Sequence, residues 1–353
     1  MILPASTLAS VLLLLLALFC WGSWANFQRS AVKWRYELFY YDFALGAGAC
    51  VALAALILGS SNSQELTMSD NLVLAGYRKI AYAIIAGAVV SLANMLLAAS
   101  ISVSGMAVAF PLSFGIGLVV TSVTNFIDNP HGANALLLFA GLFLVLAALI
   151  VDTFAYRSHL DALATQTRGV PQLDPRTRLP VKTPLAARGI VLGAISGVVY
   201  GFFFPIVDAS RSGDNGVGPY GAAALIGLGL FASTLFYGPF FVNFPVQGAP
   251  LHVLDYFKGT KKQHFWGILA GFVWAAGLVA ALVEGAGPGA QILSAFATAL
   301  LFGAPVIGVF WGSVAWGEFK GSATGVKMLL LVTLVVYAAG LAMVALAPNY
   351  ASK

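Results

Sequence analysis

Charged residues are scarce in this 353-residue chain, because Asp, Glu, Lys and Arg together make up only 9% of it. A soluble globular domain carries about 25% charged residues, and a disordered chain combines low hydrophobicity with high net charge. Here hydrophobic residues make up 60% of the sequence. The soluble globular class and the disordered class are therefore both excluded, and the composition predicts a membrane protein.

Cysteine and histidine are also scarce, with two and four copies in the whole chain. Cys20 and Cys50 each lie within an apolar run and form no CxxC or Cys/His spacing, so neither a disulfide framework nor a metal site is predicted. The four histidines are scattered over separate loops and helix ends. No cofactor is expected from this pattern.

Catalytic and nucleotide-binding motifs are missing. The sequence has no GxSxG, HExxH or GxxxxGK[ST] pattern, which would indicate a serine nucleophile, a zinc site or a phosphate-binding loop. We therefore expect neither an enzyme nor an ATP-driven machine. The net charge of +5 does not indicate a nucleic-acid partner, because the basic residues lie in short connections between apolar runs.

Long apolar runs are abundant, and a helix of about 20 residues crosses the hydrocarbon core of a bilayer. We predict an all-α, multi-pass protein of the plasma (inner) membrane with ten transmembrane helices. The ten predicted spans are 5–28, 38–59, 78–100, 103–127, 133–155, 188–209, 219–243, 265–284, 288–315 and 324–347.

The connection at 156–187 is the longest charged one, and it separates five spans from five. Its basic residues and its four prolines predict an extended cytoplasmic linker rather than a helix. The predicted organisation is thus a first five-helix repeat at 1–155, the linker, and a second repeat at 188–353.

Two weak sequence echoes relate the halves. Ala86-Gly87 matches Ala270-Gly271, and Trp21-Gly22 resembles Tyr200-Gly201. Because five is an odd number, a second copy of the repeat enters the membrane upside down. Two inverted five-helix repeats are therefore predicted, an arrangement that recurs in secondary transporters.

The distribution of Lys and Arg predicts the orientation. If both termini are outside, 14 of the 18 basic residues lie in cytoplasmic connections. Cytoplasmic loops carry an excess of Lys and Arg. This count favours termini outside and the linker in the cytoplasm.

Uncharged polar and aromatic residues within the spans are the candidate solute-binding residues. Trp21 and Trp24 share one helix face, and an amide such as that of Asn94 would be costly to bury unpaired. The alternative for each residue is packing or hydrogen bonding between helices. Phe110-Pro111 is expected to break the fourth span. The full set is Trp21, Trp24, Asn26, Asn94, Phe110, Ser113, Tyr200, Trp274, Gln291 and Thr298. Such a set suits a neutral, flat or hydroxylated solute, because a lipophilic cation would need a buried acid in mid-span.

Acidic residues within the spans are candidates for coupling transport to protons. These are Asp42, Asp152, Asp208 and Glu284, while Glu318 lies just beyond the ninth span. Each lies within a few residues of a predicted span end. The expected environment is therefore the interface, with the carboxylate reaching water.

Several segments carry a resemblance to a known family. They are Phe19-Cys20-Trp21-Gly22-Ser23-Trp24-Ala25-Asn26, Ser104-Gly105-Met106-Ala107-Val108-Ala109-Phe110-Pro111, Asn125-Phe126-Ile127-Asp128-Asn129-Pro130 and the stretch from Pro305 through Trp311 and Trp316 to Phe319. They resemble the ureide permease family of the drug/metabolite transporter superfamily, whose neighbours include bacterial glucose-uptake and rhamnose–proton symport proteins.

This resemblance implies ten helices in two inverted repeats around a central cavity, and uptake of small polar solutes with protons as the coupling ion. It also implies cytoplasmic termini, whereas the distribution of Lys and Arg favours termini outside. The expected function is secondary transport of a small neutral metabolite such as a ureide, nucleobase or sugar, by alternating access. Two alternatives stay open: a multidrug or metabolite exporter of the same superfamily, and a non-transporting membrane interaction protein. The expected partners are the solute and the lipid bilayer, in a monomer or a homodimer.

Overall fold

The structure is a computed structural model that describes residues 1–61, 67–166, 184–286 and 297–351. These residues contain ten helices long and apolar enough to cross a membrane, and no strand. The predicted all-α class and the predicted count of ten spans are confirmed. The helices are α1 (Thr7–Ser30), α2 (Tyr36–Ile57), α3 (Tyr77–Ser104), α4 (Met106–Asp128), α5 (Ala135–Gln166), α6 (Pro184–Arg211), α7 (Pro219–Asn243), α8 (Lys261–Glu284), α9 (Ala297–Ala315) and α10 (Thr324–Leu346).

Helices dominate because hydrocarbon offers no hydrogen bonds, so each span satisfies its backbone internally. The ends of the spans reach polar surroundings and use side-chain caps. Thr260 and Gln263 form a reciprocal capping box at the start of α8, and Ser6 caps α1. Ten crossings are an even number, so both termini lie at one face of the bundle, here called the termini side. The opposite face is called the linker side.

The predicted boundaries of the linker are wrong at both ends. Helix α5 continues beyond residue 156 to Gln166, and α6 already begins at Pro184. A helix tolerates proline as its first residue, since that position needs no intrahelical N–H bond. Charged residues after residue 156 extend α5 past its apolar part instead of ending it. Residues 167–183, the rest of the linker, lie outside the described residues.

The predicted break at Phe110-Pro111 is also wrong, since α4 runs through Pro111 without interruption. Proline removes one intrahelical hydrogen bond and is most disruptive in a helix interior. Pro111 lies within the first two turns of α4. The first two N–H groups of this helix are bonded to a side chain from elsewhere, which fixes its start.

Glycines bring two pairs of helices, α2 with α8 and α3 with α7, into close contact. A Cβ on Gly46 of α2 would clash with the carbonyl oxygen of Ile268 on α8, and a Cβ on Gly229 of α7 would clash with that of Ile84 on α3. Helices in membranes approach closely where such small residues meet. The two contacts correspond when each helix of the first half is matched with the fifth helix after it.

The glycines of the first sequence echo make the reciprocal contacts. Gly87 of α3 lies against the backbone of α7 at Ile226, and Gly271 of α8 lies against the backbone of α2 at Phe43. The second echo behaves in the same way. Gly22 of α1 lies against α9, and Gly201 of α6 lies against α4. Every one of these contacts has a counterpart in the other half. The inverted repeat itself stays a prediction. Two inverted repeats would produce matching contacts of this kind in the two halves.

Candidate functional site

Aromatic side chains from both halves meet in the interior of the bundle, and we call this group the central aromatic cluster. Its members are Trp21, Trp24, Tyr40, Phe43, Phe110, Phe114, Tyr200, Phe204 and Trp274. The ring of Phe43 lies 5.0 Å from that of Trp24 and 5.8 Å from that of Trp274. Five predicted site residues, Trp21, Trp24, Phe110, Tyr200 and Trp274, are brought together here, and all are buried.

Helices α1 and α6 place equivalent aromatics at the centre of this cluster. Trp21 of α1 donates its indole N–H to the carbonyl oxygen of Trp274, 3.2 Å away, and packs on Phe204. Tyr200 of α6 packs on Phe114 and Phe204, and its hydroxyl lies beside Trp274 without a well-aligned hydrogen bond. Flat, polarisable surfaces from both halves thus face each other with few directional bonds between them.

Asn94 on α3 is the most unusual polar residue of the interior. Only 1% of it is exposed, and neither its amide nitrogen nor its oxygen has a hydrogen-bond partner in the described part of the chain. On the same face of α3, the carbonyl of Ser91 accepts from Tyr40, and that of Ala98 accepts from Gln28. An unpaired buried amide costs about 1–3 kcal/mol. Asn94 therefore offers one donor group and one acceptor that the protein itself does not use.

Ser113 has its hydrogen bonds satisfied within the bundle. Its hydroxyl lies 2.7 Å from that of Ser196 on α6, and Ser196 in turn donates to the carbonyl oxygen of Ala93. This chain joins α4, α6 and α3 behind the central aromatic cluster. The arrangement fits the alternative of hydrogen bonding between helices, and Ser196 was not among the predicted residues.

A cavity of about 530 Å³ opens on the termini side among α4, α6, α9 and α10, and we call it the termini-side cavity. Phe204 and Phe302 line it and pack against each other, so it reaches the central aromatic cluster. Thr298, Asp208 and Asn125 add polar groups to its wall. Predicted site residue Thr298 thus lies in the approach to the cluster, and Gln291 lies outside the described residues.

On the linker side, Glu318 joins three helices. Its carboxylate pairs with Arg29 of α1 at 2.6 Å and accepts the backbone N–H groups of Met106 and Ala107, the first residues of α4, at 2.8 Å each. The partial positive charge of a helix N-terminus favours a carboxylate at this position. Gly105 has φ +85°, and a Cβ there would clash with the Glu318 carboxylate. The sequence prediction missed this role, although Trp316-Gly317-Glu318 and Gly105 both belong to the segments that carried the resemblance.

Tryptophans extend the same contact. Trp316 donates its indole N–H to Asn26 at 2.6 Å, and Trp311 donates to the hydroxyl of Ser23 at 3.0 Å. We call Asn26, Arg29, Trp316 and Glu318, with the start of α4, the latch. Predicted site residue Asn26 therefore lies in the latch and not in the central aromatic cluster.

The predicted interfacial environment is wrong for most of the acidic candidates. Asp42 and Asp152 are fully buried, and Glu284 is 4% exposed. Asp208 alone is exposed, into the termini-side cavity. The start of α8 packs on α2 and covers Asp42, as the contact of Gly267 with Asp42 shows. Asp152 lies well before the end of α5, because this helix extends beyond its predicted end.

Asp42 has a complete set of hydrogen-bond partners at the linker-side end of α2. Tyr256 donates to it at 2.6 Å, His264 lies at 2.9 Å and the indole of Trp34 at 3.3 Å. Burial raises the pKa of the Tyr256 hydroxyl, and its bond to Asp42 adds to the effect. These contacts tie the short 3₁₀ helix Val253–Lys258 to α2 and α8. This geometry favours a structural role for Asp42.

Asp152 has no such partners. Neither of its carboxyl oxygens makes a hydrogen bond within the described residues. The charged group that faces it is Glu318 of the latch, while Tyr156 and His159, also buried, follow on α5. Removing an unpaired carboxylate from water costs several kcal/mol. The second carboxylate of Glu318 adds repulsion instead of a stabilising partner.

Comparison with known proteins agrees with this architecture. The chain is 20% identical to ureide permease 1 of Arabidopsis thaliana over 84% of this chain and 86% of that protein. It is 20% identical to ureide permease 2 of the same plant over 93% of this chain and 94% of that protein. These similarities support a transporter family. No profile of a known protein family matches the chain.

A solved crystal structure that is 14% identical superimposes with a TM-score of 0.50 over 98% of this chain and 100% of its own. At that identity the likeness concerns the fold alone. Ten apolar helices and permease relatives together establish an integral, multi-pass membrane protein whose relatives are named as transporters and not as enzymes. Within the described residues no three His, Cys, Asp or Glu side chains lie close enough to hold a metal ion.

Proposed function

We propose that the protein is a secondary transporter of a small neutral solute that carries an amide or ureido group. Asn94 supports this proposal most directly, because it is buried with both ends of its amide unpaired. A solute with adjacent N–H and C=O groups, as in ureides and nucleobases, would pair with both ends at once. The neighbouring rings of the central aromatic cluster would stack on a flat solute.

The relatives named ureide permeases support the same solute class. Asp42, the buried acid between cluster members Tyr40 and Phe43 in the sequence, is already bonded to Tyr256, His264 and Trp34, which disfavours the exporter of lipophilic cations. Hydroxylated solutes such as sugars can also use an amide, but they offer no flat face. We therefore place ureides and nucleobases ahead of sugars.

Alternating access is the proposed mechanism. The close glycine contacts occur in corresponding pairs, as two inverted repeats would produce. In transporters built this way, the substrate site lies near the midplane between the repeats, and the repeats rock about it. The termini-side cavity would admit the solute in the conformation described, while the latch holds the other end closed.

For proton coupling we propose Asp152 among the four acidic candidates. It is buried without partners and faces Glu318 of the latch. A protonated Asp152 is compatible with the closed latch. Loss of the proton would place two negative charges near each other and would favour opening of the linker side.

Replacement of Asn94 by leucine tests the solute site. Leucine has a similar volume and removes the unpaired amide, so we expect the solute-free protein to gain about 1–3 kcal/mol of stability. Uptake of allantoin or uracil into proteoliposomes should fall at least about tenfold, because the solute would lose its hydrogen bonds. Asn243→Leu is the matched control, since Asn243 is exposed at the end of α7 and, among the described residues, its side chain bonds only to Pro239 within its own helix.

A structural role for Asn94 predicts the opposite pair of results. The variant would then melt at a lower temperature and keep its affinity for the solute. Saturable uptake of uracil by the unmodified protein, accelerated by counterflow, is the positive reference. Non-saturable conductance would contradict the transporter mechanism, and absence of any solute-dependent stabilisation would favour an interaction protein.

A further inference from the structure

A groove of about 790 Å³ lies between α9 and α10 and opens at the outer surface of the bundle. Apolar side chains form its walls, and several are exposed, including Phe310 at 54% and Val314 at 67%. The wall residues used below are Val309, Phe310 and Val314 on α9 and Leu330, Leu331 and Leu334 on α10. An apolar surface of this kind faces the acyl region of the bilayer.

The groove exists because α9 and α10 meet at one end only. Near the termini side, the hydroxyl of Tyr337 on α10 donates to the carbonyl oxygen of Phe302 at 2.9 Å. Towards the linker side the groove separates the two helices. The corresponding pair in the first half, α4 and α5, packs directly, with Gly115 against the side chain of Leu149. The second half therefore leaves open a space that the first half fills.

Two lysines mark the linker-side end of this groove. Lys320 and Lys327 both line it and are both exposed. Neither has an acidic partner among the residues that the structure describes, because nearby Glu318 is bound by Arg29 and the start of α4. The groove thus combines an apolar body with two uncompensated positive charges at its polar end.

The backbone of α9 departs from regular geometry at the same place. Residues Trp311–Ala315 form a π-helical turn, and Ser313, Val314 and Ala315 of this turn line the groove. Such turns are rare, occur mostly as single insertions within α-helices and are frequent at functional sites. The hydroxyl of Ser313 is buried and has no hydrogen-bond partner within the described chain. The irregular turn thus forms part of the groove wall and leaves one hydroxyl unused beside it.

We propose that this groove binds one anionic phospholipid, with an acyl chain between α9 and α10 and its phosphate at Lys320 and Lys327. Basic pockets between transmembrane helices suit anionic headgroups, and each lysine near the surface contributes about 1 kcal/mol. The connection at 167–183 is a poor alternative occupant, since it carries four basic residues and one acidic residue and would repel the lysines.

Native mass spectrometry in mixed micelles of phosphatidylglycerol and phosphatidylcholine tests this proposal. We expect the unmodified protein to retain one phosphatidylglycerol molecule in preference to phosphatidylcholine. The double variant Lys320→Ala, Lys327→Ala should lose roughly tenfold to thirtyfold of that preference. The double variant Lys261→Ala, Lys262→Ala is the matched control, because these two exposed lysines lie on the linker side at the start of α8, away from the groove.

A second variant separates the groove from simple attraction of lipid by charge. Val314→Trp fills the groove and keeps both lysines, so we expect it to lose the bound lipid as well. Val335→Trp is its control, since Val335 is 61% exposed on α10 and does not line the groove.

Three results would overturn the proposal. Equal retention of both lipids by the unmodified protein would show no headgroup selection. Full retention by Val314→Trp would place the lipid outside the groove. Masses of a dimer without bound lipid, lost on filling the groove, would identify a second copy of the chain as the occupant.

Discussion

The latch and the termini-side cavity occupy corresponding places in the two halves but differ in what fills them. The cavity lies among α4, α6, α9 and α10. When helices five positions apart in the chain are matched, these four helices correspond to α9, α1, α4 and α5. Those helices surround a space on the linker side. That space holds Glu318, Arg29 and the buried Asp152. One end of the same architecture is open and the other is closed by charged hydrogen bonds, as an alternating-access cycle requires of one of its states.

The difference also shows which interactions hold this state. Asp208 occupies on α6 a place related to that of Arg29 on α1, yet it is exposed to the cavity. Arg29, in contrast, binds a carboxylate that is only 9% exposed and has two further donors. Hydrogen bonds between charged groups are about twice as strong as neutral ones. The closed end is therefore stabilised by Glu318, and we locate the largest mutational effect there.

Replacement of Glu318 by alanine should have the largest effect on this comparison. The change leaves Arg29 and the first N–H groups of α4 without their acceptor. Loss of one partner from a buried pair costs about 3–5 kcal/mol, and the 30% exposure of Arg29 favours the lower end of that range. We expect a lower melting temperature and faster labelling of a cysteine introduced at Ala107.

Asp255→Ala is the matched control for a carboxylate on the linker side, because Asp255 pairs with an exposed lysine outside the membrane. It should leave the labelling rate at residue 107 unchanged. Unchanged labelling in Glu318→Ala would show that other contacts close the linker side.

Asp152 on the linker side and Asp208 in the termini-side cavity can be compared as candidates for proton coupling. If Asp152 carries the proton, uptake falls by up to about tenfold for each unit of rising pH once its acid form is depleted. Asp152→Asn keeps the shape and removes titration, so uptake by this variant should lose its dependence on pH. Asp208→Asn should retain it, since Asp208 lies in the cavity. Transport rates between pH 5.5 and 8.5 distinguish the two variants, and the reverse result would assign coupling to Asp208.

The number of spans could be predicted from the sequence because it follows from the thickness of the bilayer and the length of apolar runs. The aromatic residues Trp21, Tyr200 and Trp274 could be found as large side chains in mid-span. The hydrogen bonds between polar side chains of different helices could not be predicted from the sequence. Ser196, for instance, is one of many small polar residues in helices, and nothing in its neighbourhood marks its bond to Ser113.

The latch lay beyond sequence reasoning for a different reason. Arg29 and Glu318 come from opposite ends of the chain, and each looks like an ordinary charge at the end of a span. Asp152 was misjudged in the same way, because its distance from the end of an apolar run suggested water nearby. Burial depends on which helices pack there, and α5 continues well beyond its apolar part.

Close glycine contacts give a smaller and more local effect. Gly46→Ala would place a methyl group against the backbone of α8 at Ile268, whereas Gly48→Ala on the same helix meets open space. Overpacking typically costs about 1–3 kcal/mol. We expect Gly46→Ala to lower the melting temperature and Gly48→Ala to leave it unchanged. Gly229→Ala, at the corresponding contact of α7, should match Gly46→Ala, and a large difference between these two would weaken the inverted-repeat interpretation.

The smallest effect is expected at the ion pair between Lys258 and Asp255, which resembles the latch in chemistry but lies in water. The side chain of Lys258 is 78% exposed. Its hydrogen bond holds the pKa of Asp255 below the usual range, helped by the backbone N–H of His252. A lowered folded-state pKa stabilises the protein above the unfolded-state pKa, and this stability is lost as the pH falls through the folded-state value. Lys258→Ala should therefore raise the pKa of Asp255 towards its ordinary value, so that the stability from this pair is lost over a narrower range of acidic pH. At pH 7 the melting temperature should stay the same within measurement error. Melting curves of this variant from pH 3 to pH 7 check this expectation. If its melting temperature at pH 7 fell as far as that of Glu318→Ala, charge pairing alone, rather than burial against α4, would account for the stability of the latch.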